Sequence, residues 1–130
     1  MSREYLIYQG ESFRLEWYFD AKGKSQPKDY FEKLEPKMQA KAFALFKRMG
    51  DVGLIRDITK FRNEGDEIFA FKPRPERFLS FFQIGRKMII TNAFIKKADK
   101  LPKNEKMKAI EARNDFLLRI KKGKYYEYEI

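Results

Sequence analysis

Six basic side chains in two short stretches hold most of the chemistry this chain can offer. Lys72, Arg74 and Arg77 lie in Lys72-Pro-Arg-Pro-Glu-Arg77, and Lys96, Lys97 and Lys100 follow an apolar run that ends at Ile95. Cations gathered at strand ends can seat a polyanion, and a lysine crowded by like charges titrates closer to neutrality than usual. Such a lysine can give or take a proton near pH 7, a task that histidine usually performs. The chain has no histidine and no cysteine. That composition excludes a serine–histidine triad, a cysteine nucleophile, a thiolate zinc site and a disulfide framework. Catalysis would have to run on Lys, Arg, Tyr, Glu or Asp, and neither a metal nor a cofactor is expected. Lys72, Arg77 and Lys97 are the candidate catalytic residues, provided that folding brings the strand ends together. Arg74, Lys96, Lys100 and Tyr126 are the candidates for holding the anion. Each also has a plainer reading as a solvated side chain, and Arg77 beside Pro75 could simply flank a sheet edge. Lys96 and Lys97 are neighbours, so on an extended strand they point to opposite sides and cannot both enter one site.

The balance of the whole chain agrees with an anionic partner. It carries 29 Lys and Arg against 19 acids over 130 residues, a net charge of +10. Nucleic acid is the first partner such an excess suggests, an acidic protein the second and a membrane surface the third; solubility alone is the plain alternative. Thirteen phenylalanines and seven tyrosines supply ample core for one domain over 1–130, with residues 121–130 a basic, tyrosine-rich tail. No apolar stretch approaches a membrane span, and Met-Ser-Arg-Glu-Tyr is not a signal peptide. A cytoplasmic protein without membrane contact is expected.

The elements that must position these cations follow from periodicity. Residues 13–19 alternate as a strand, with Phe13, Leu15, Trp17 and Phe19 on one face and Arg14, Glu16 and Tyr18 on the other. After a turn at 20–25, Pro27 opens a short helix with Tyr30, Phe31 and Leu34. Pro36 restarts a longer helix through Met38, Ala42, Leu45, Phe46 and Met49, and Gly50 is expected to end it. Residues 51–66 read as a mixed connection. Strands are predicted over 68–72, 77–84 and 87–95, the last two joined by a two-residue loop at Gly85-Arg86 with glycine first. A last helix is predicted from near Pro102 to about Lys121. Glu105 reads as a first-turn acid, and Arg113 as a clamp on the sheet or tail. In the tail, Tyr126, Tyr128 and Ile130 could share one side of a short strand, the commoner cause of such alternation, or the tyrosines could stack bases. The expectation is α+β: a twisted antiparallel sheet of about four strands in the order β-α-α-β-β-β-α.

Several of these stretches carry a family pattern. Gly23-Lys-Ser25-Gln-Pro27 is followed by Tyr30, Phe31 and Leu34; Ile68 to Lys72 and Arg77-Phe-Leu79 follow; and Phe94, Lys96, Lys97, Pro102, Glu105, Ala109 and Arg113 form the final block. From Phe13 to Leu118 the chain resembles the RelE/ParE toxin superfamily, in its HigB-like, phage-derived branch. The chain departs from that pattern where relatives carry Glu-Leu-Arg: Ala70 replaces the glutamate and Lys72 the arginine. A lysine keeps the charge but lacks the flat fork that grips a phosphate in two places. The tail beyond Leu118 has no counterpart.

The resemblance implies the toxin of a type II toxin–antitoxin system, a RelE-like sheet with helices packed to one side, and a cognate antitoxin, often a helix-turn-helix protein. Relatives in the RelE and HigB branches cut mRNA on the ribosome, which would make this chain a metal-independent endoribonuclease, with Arg74, Lys96, Lys100 and Tyr126 on the RNA. Members of the ParE branch act instead on DNA gyrase. A catalytically inactive phage relative that only binds an antitoxin is the third reading, which the Ala70 and Lys72 departures leave open.

Overall fold

The computed structural model describes residues 3–98 and 100–127. In chain order its elements are β1 (Leu6–Gln9), β2 (Arg14–Trp17), α1 (Gln26–Glu32), α2 (Pro36–Val52), β3 (Phe61–Asn63), β4 (Phe69–Phe71), β5 (Glu76–Gln83), β6 (Lys87–Ile95) and α3 (Lys103–Lys121). The class is α+β, but the expected four strands and the order β-α-α-β-β-β-α are wrong. Among the described residues there are six strands in the order β1-β2-β6-β5-β4-β3, and the sheet is mixed: β2 pairs with β6 in parallel, while the other pairs are antiparallel. The two missed strands, β1 and β3, are four and three residues long, too short for alternation to register. The parallel pair arises because β2 and β6 are separated by two helices and three strands, a connection long enough to return the chain in the same direction.

Helices cover both faces of the sheet, not the one expected. Phe78 of β5 packs against Tyr30 and Phe31 of α1 and Phe46 of α2, whereas Phe81, an odd number of residues further on, meets Phe116 of α3. Strand side chains alternate between faces, so α1 and α2 lie on one side and α3 on the other. The alternation predicted for residues 13–19 is present, but its polar side is covered. Glu16 is fully buried under the tail, with the Arg14 Nε at 2.6 Å and the Lys87 Nζ at 3.6 Å.

Local punctuation differs from expectation in three places. Ser25 caps α1 with its hydroxyl on the Lys28 N–H, and Pro27 sits in the first turn as predicted. Helix α2, however, runs past Gly50 to Gly53, whose φ of 78° is the left-handed stop. Gly50 is in the helix for a different reason: a Cβ there would fall 2.7 Å from the Tyr8 ring, and its carbonyl accepts from the Ser12 and Phe13 N–H groups, with Gly10 directly against it. A Cβ on Gly10 would fall 2.1 Å from the Gly50 carbonyl carbon, so the β1–β2 turn closes on α2 only without one. Gly10→Ala is therefore expected to lower stability by about 1–3 kcal/mol, read as a fall in the thermal midpoint. The β5–β6 loop has three residues rather than two, Ile84 to Arg86, because Gln83 pairs with Lys87. Residues 121–127 form no strand. Instead Tyr125 is buried, with its hydroxyl accepting from the Phe19 N–H and its carbonyl from the Tyr5 hydroxyl, each at 2.9 Å. Tyr128 and Ile130 lie outside the described residues.

Candidate nucleic-acid interface

The sheet register decides which cations meet. Phe71 pairs with Phe78, which sets Lys72, one step past β4, beside Arg77 at the start of β5; Arg77 in turn pairs with Phe94. Arg62 of β3 pairs with Ala70, and Glu64 follows two residues later. By alternation Arg62, Glu64, Lys72, Arg77, Phe94 and Lys96 therefore share the α3 face. Helix α3 covers only part of that face, since it begins at Lys103 with Pro102 as its N-cap. The exposed end of the sheet and the approach to α3 enclose a cavity of about 310 Å³, lined by Arg62, Glu64, Lys72, Arg77, Phe94, Lys96, Lys100, Leu101 and Pro102. Five cations thus face one carboxylate, and the positive end of the α3 dipole adds to the same sign.

Two of these cations are almost out of water. Lys72 is 8% exposed and donates from Nζ to the Ile58 carbonyl at 3.0 Å. Burial lowers its pKa, and Arg77 and Lys96 lower it further, while Glu64 opposes the shift. Arg77 is 5% exposed and donates from Nη1 to the Glu76 carbonyl at 2.9 Å. Burial and then Arg74 lower its pKa, from a value so high that the guanidinium stays charged. The Glu76 carboxylate is itself held by the Tyr30 hydroxyl, so α1 anchors the strand that carries Arg77.

Glu64 owes its place to the turn between β3 and β4. Gly65, Asp66 and Glu67 all have positive φ, of 89°, 54° and 62°, which two non-glycine residues adopt only under constraint. The constraint comes from α3: Arg113 donates to the Asp66 carbonyl, and the Lys106 Nζ lies 2.8 Å from its carboxylate. Arg113 is thus a clamp on this turn, not on the sheet or tail. Glu105 occupies the first turn as predicted and accepts from the Asn92 amide at 3.1 Å, tying the start of α3 to β6.

Of the residues singled out from sequence, Lys72, Arg77, Lys96 and Lys100 converge on the cavity. Arg74 and Lys97 line an adjoining groove of about 350 Å³ with Pro75 and Ala98, and the two spaces share Arg77 and Lys96. Lys97 is exposed there and does not line the cavity that holds Lys72. Tyr126 is elsewhere. Its hydroxyl accepts from the Lys87 Nζ at 3.0 Å and donates to Glu16, and Lys87 opens β6, about 30 Å of extended chain from Lys96. It seals a buried carboxylate and stands outside the basic pocket. Tyr126→Phe is expected to cost about 1–2 kcal/mol in chemical denaturation and to leave any activity of the pocket unchanged. Arg62 and Glu64 were missed because they belong to a three-residue strand and the turn that follows it. Their signal was the alternation Phe61-Arg62-Asn63-Glu64, which four residues are too few to establish.

A mixed sheet whose open end is a cationic pocket defines a small α+β protein suited to a polyanionic ligand. The family model described as Phage derived protein Gp49-like (DUF891) matches residues 29–114, more than half of the chain, and the chain belongs to that family. The family is part of the RelE/ParE-like toxin superfamily and is consistent with the toxin of a toxin–antitoxin pair, which implies an antitoxin partner. No curated protein matches the chain. Among the described residues no helix is long and apolar enough to cross a membrane, and no group of three or more acidic side chains could hold a metal ion.

Proposed function

We propose that this chain is the toxin of a type II toxin–antitoxin pair, of HigB-like type, and that it halts translation by cutting mRNA on the ribosome. The observation that carries this reading is the convergence of Lys72, Arg77 and Lys96 with Glu64 in one cavity, continuous with a second cationic groove. An RNA backbone would run along both spaces, with Arg77 and Lys96 at their junction on the scissile phosphate and Arg74, Lys97 and Lys100 on its neighbours. Arg62 adds to the field that stabilises the phosphorane. The ribose 2′-oxygen attacks phosphorus and passes its proton to the Glu64 carboxylate. The bond from phosphorus to the 5′-oxygen breaks, and the Lys72 ammonium supplies the proton that the departing oxygen needs. The products are a 2′,3′-cyclic phosphate and a 5′-hydroxyl. A divalent cation would find a single carboxylate here among five positive charges, so the donor set favours a reaction carried by side chains alone.

A cognate antitoxin, expected to be a helix-turn-helix protein, would restrain this activity in the cytoplasm. The test is induction in growing cells followed by mapping of transcript 5′ ends. New 5′-hydroxyl ends within translated reading frames, absent when initiation is blocked, are expected. Growth arrest with transcripts left whole would refute the nuclease reading and turn attention to gyrase, through supercoiling and DNA-damage assays.

A further inference from the structure

A second concave surface, with no part in the basic pocket, lies where α2 ends. Helix α2 buries Ala42, Phe46 and Met49 against the sheet, yet it carries another apolar stripe: Leu45 and Val52 flank a groove of about 440 Å³ closed on its far side by Leu54 and Ile55. Val52 is 56% exposed and Leu54 46%, so the groove leaves large apolar side chains in water. Such adjacent apolar exposure marks a contact surface more often than chance. Its rim is cationic, from Arg48, Arg56 and Lys60. Among the described residues neither Arg48 nor Arg56 enters a salt bridge. The one acid in the lining, Asp57, is already engaged by the hydroxyl and the N–H of Thr59, at 2.7 and 2.9 Å.

We infer that this groove docks an acidic amphipathic helix of another protein. The apolar floor accepts anchors spaced at i, i+3, i+4 and i+7, and acidic residues flanking those anchors meet the arginine rim. From Ala44 to Val52 the α2 wall is about 12 Å long, two helical turns, which matches such a set of anchors. Nucleic acid fits less well, because the lining offers no aromatic ring for a base and its floor has nothing for a phosphate. A second copy of the chain fits less well again, since a two-fold contact would set one cationic rim against another on molecules of net charge +10. The inference does not depend on whether the basic pocket cuts RNA.

The probe is a synthetic helical peptide with leucine at the anchor positions and glutamate elsewhere, labelled for fluorescence anisotropy and titrated with the full chain. Saturable binding is expected, at least tenfold tighter than for the same peptide with lysine in place of glutamate. Arg48→Glu with Arg56→Glu, and separately Val52→Ser with Leu54→Ser, should each weaken it at least tenfold, while Lys97→Glu in the other groove should not. These positions are exposed, and unchanged thermal midpoints will show that the variants are folded. Equal affinity for both peptides, insensitivity to the groove variants, or loss with Lys97→Glu would overturn the inference. So would a dimer in sedimentation that Leu54→Ser disperses, since the occupant would then be a second copy.

Discussion

Lys72→Met is expected to reduce transcript cleavage by at least 10²-fold and, at the same time, to raise the thermal midpoint. The loss follows from the proposed role: a positioned acid contributes roughly 10²–10⁴-fold to such a step. The gain follows from the geometry. Lys72 is 8% exposed and its neighbours are cations, so the folded protein holds that proton less firmly than the unfolded chain does. Between the lowered folded pKa and the ordinary lysine value of about 10.4, the unfolded state carries more protons, and stability therefore rises with pH across that window. The penalty is fully present below the window and relieved above it. Methionine keeps the volume of the stem and removes the charge, so its stabilising effect should be largest at neutral pH and fade as the pH approaches 10. The Ile58 carbonyl that loses its donor belongs to an exposed residue and can turn to water. Lys72→Arg separates the two possible roles. It keeps the charge but not the readily donated proton, so cleavage should stay low, without the fall at alkaline pH expected of the natural chain once Lys72 has lost its proton. Full activity in the arginine variant would make position 72 a phosphate clamp instead of an acid.

Phe116→Ala should destabilise the chain by about 3–5 kcal/mol, a large share of the 5–15 kcal/mol that holds a typical domain folded. Phe116 is fully buried and joins three parts of the structure: Phe81 of the sheet at 5.4 Å between ring centres, Tyr125 at 4.5 Å and Tyr126 at 6.4 Å. Removing the ring opens a cavity between the sheet, α3 and the tail, where stiff aromatic neighbours can collapse little. The consequence extends to the site, because α3 carries Arg113 and Lys106, which hold the turn beside Glu64, and its start roofs the basic pocket. Denaturant unfolding measures the first effect, and the protease sensitivity of the β3–β4 turn the second. A loss below about 1 kcal/mol would mean that α3 is not anchored to the sheet through this ring.

How much of this was legible beforehand depends on the length of each signal. The α2 and α3 periodicities run over several turns, and the β5 and β6 runs are eight and nine residues, so those elements stood out within a few residues of their bounds. Strands β1 and β3 were hidden by their brevity. The stop of α2 lies beyond Gly50 because that glycine, which looks like a terminator, instead makes room for the ring of Tyr8, a strand residue far off in the sequence that local alternation cannot report. The tyrosine-rich tail reads as a short packed strand or as a stacking surface that puts Tyr126 on RNA, whereas in the structure Tyr126 covers Glu16, a partner 110 positions away.

Composition and order alone determined that any catalysis must do without histidine and cysteine, that the excess charge is positive, and that Lys72, Arg77 and Lys96 stand at strand ends. Those are properties of residue type and nearest neighbours. Only the tertiary structure decided that β4, β5 and β6 lie side by side in the register that brings these ends together, that β3 adds Arg62 and Glu64, and that Lys97 and Tyr126 fall outside the pocket. The physical reason is that a cluster of like charges is not favoured locally. It is imposed by the burial of aromatic side chains elsewhere on the same strands, and no short stretch of sequence contains that balance.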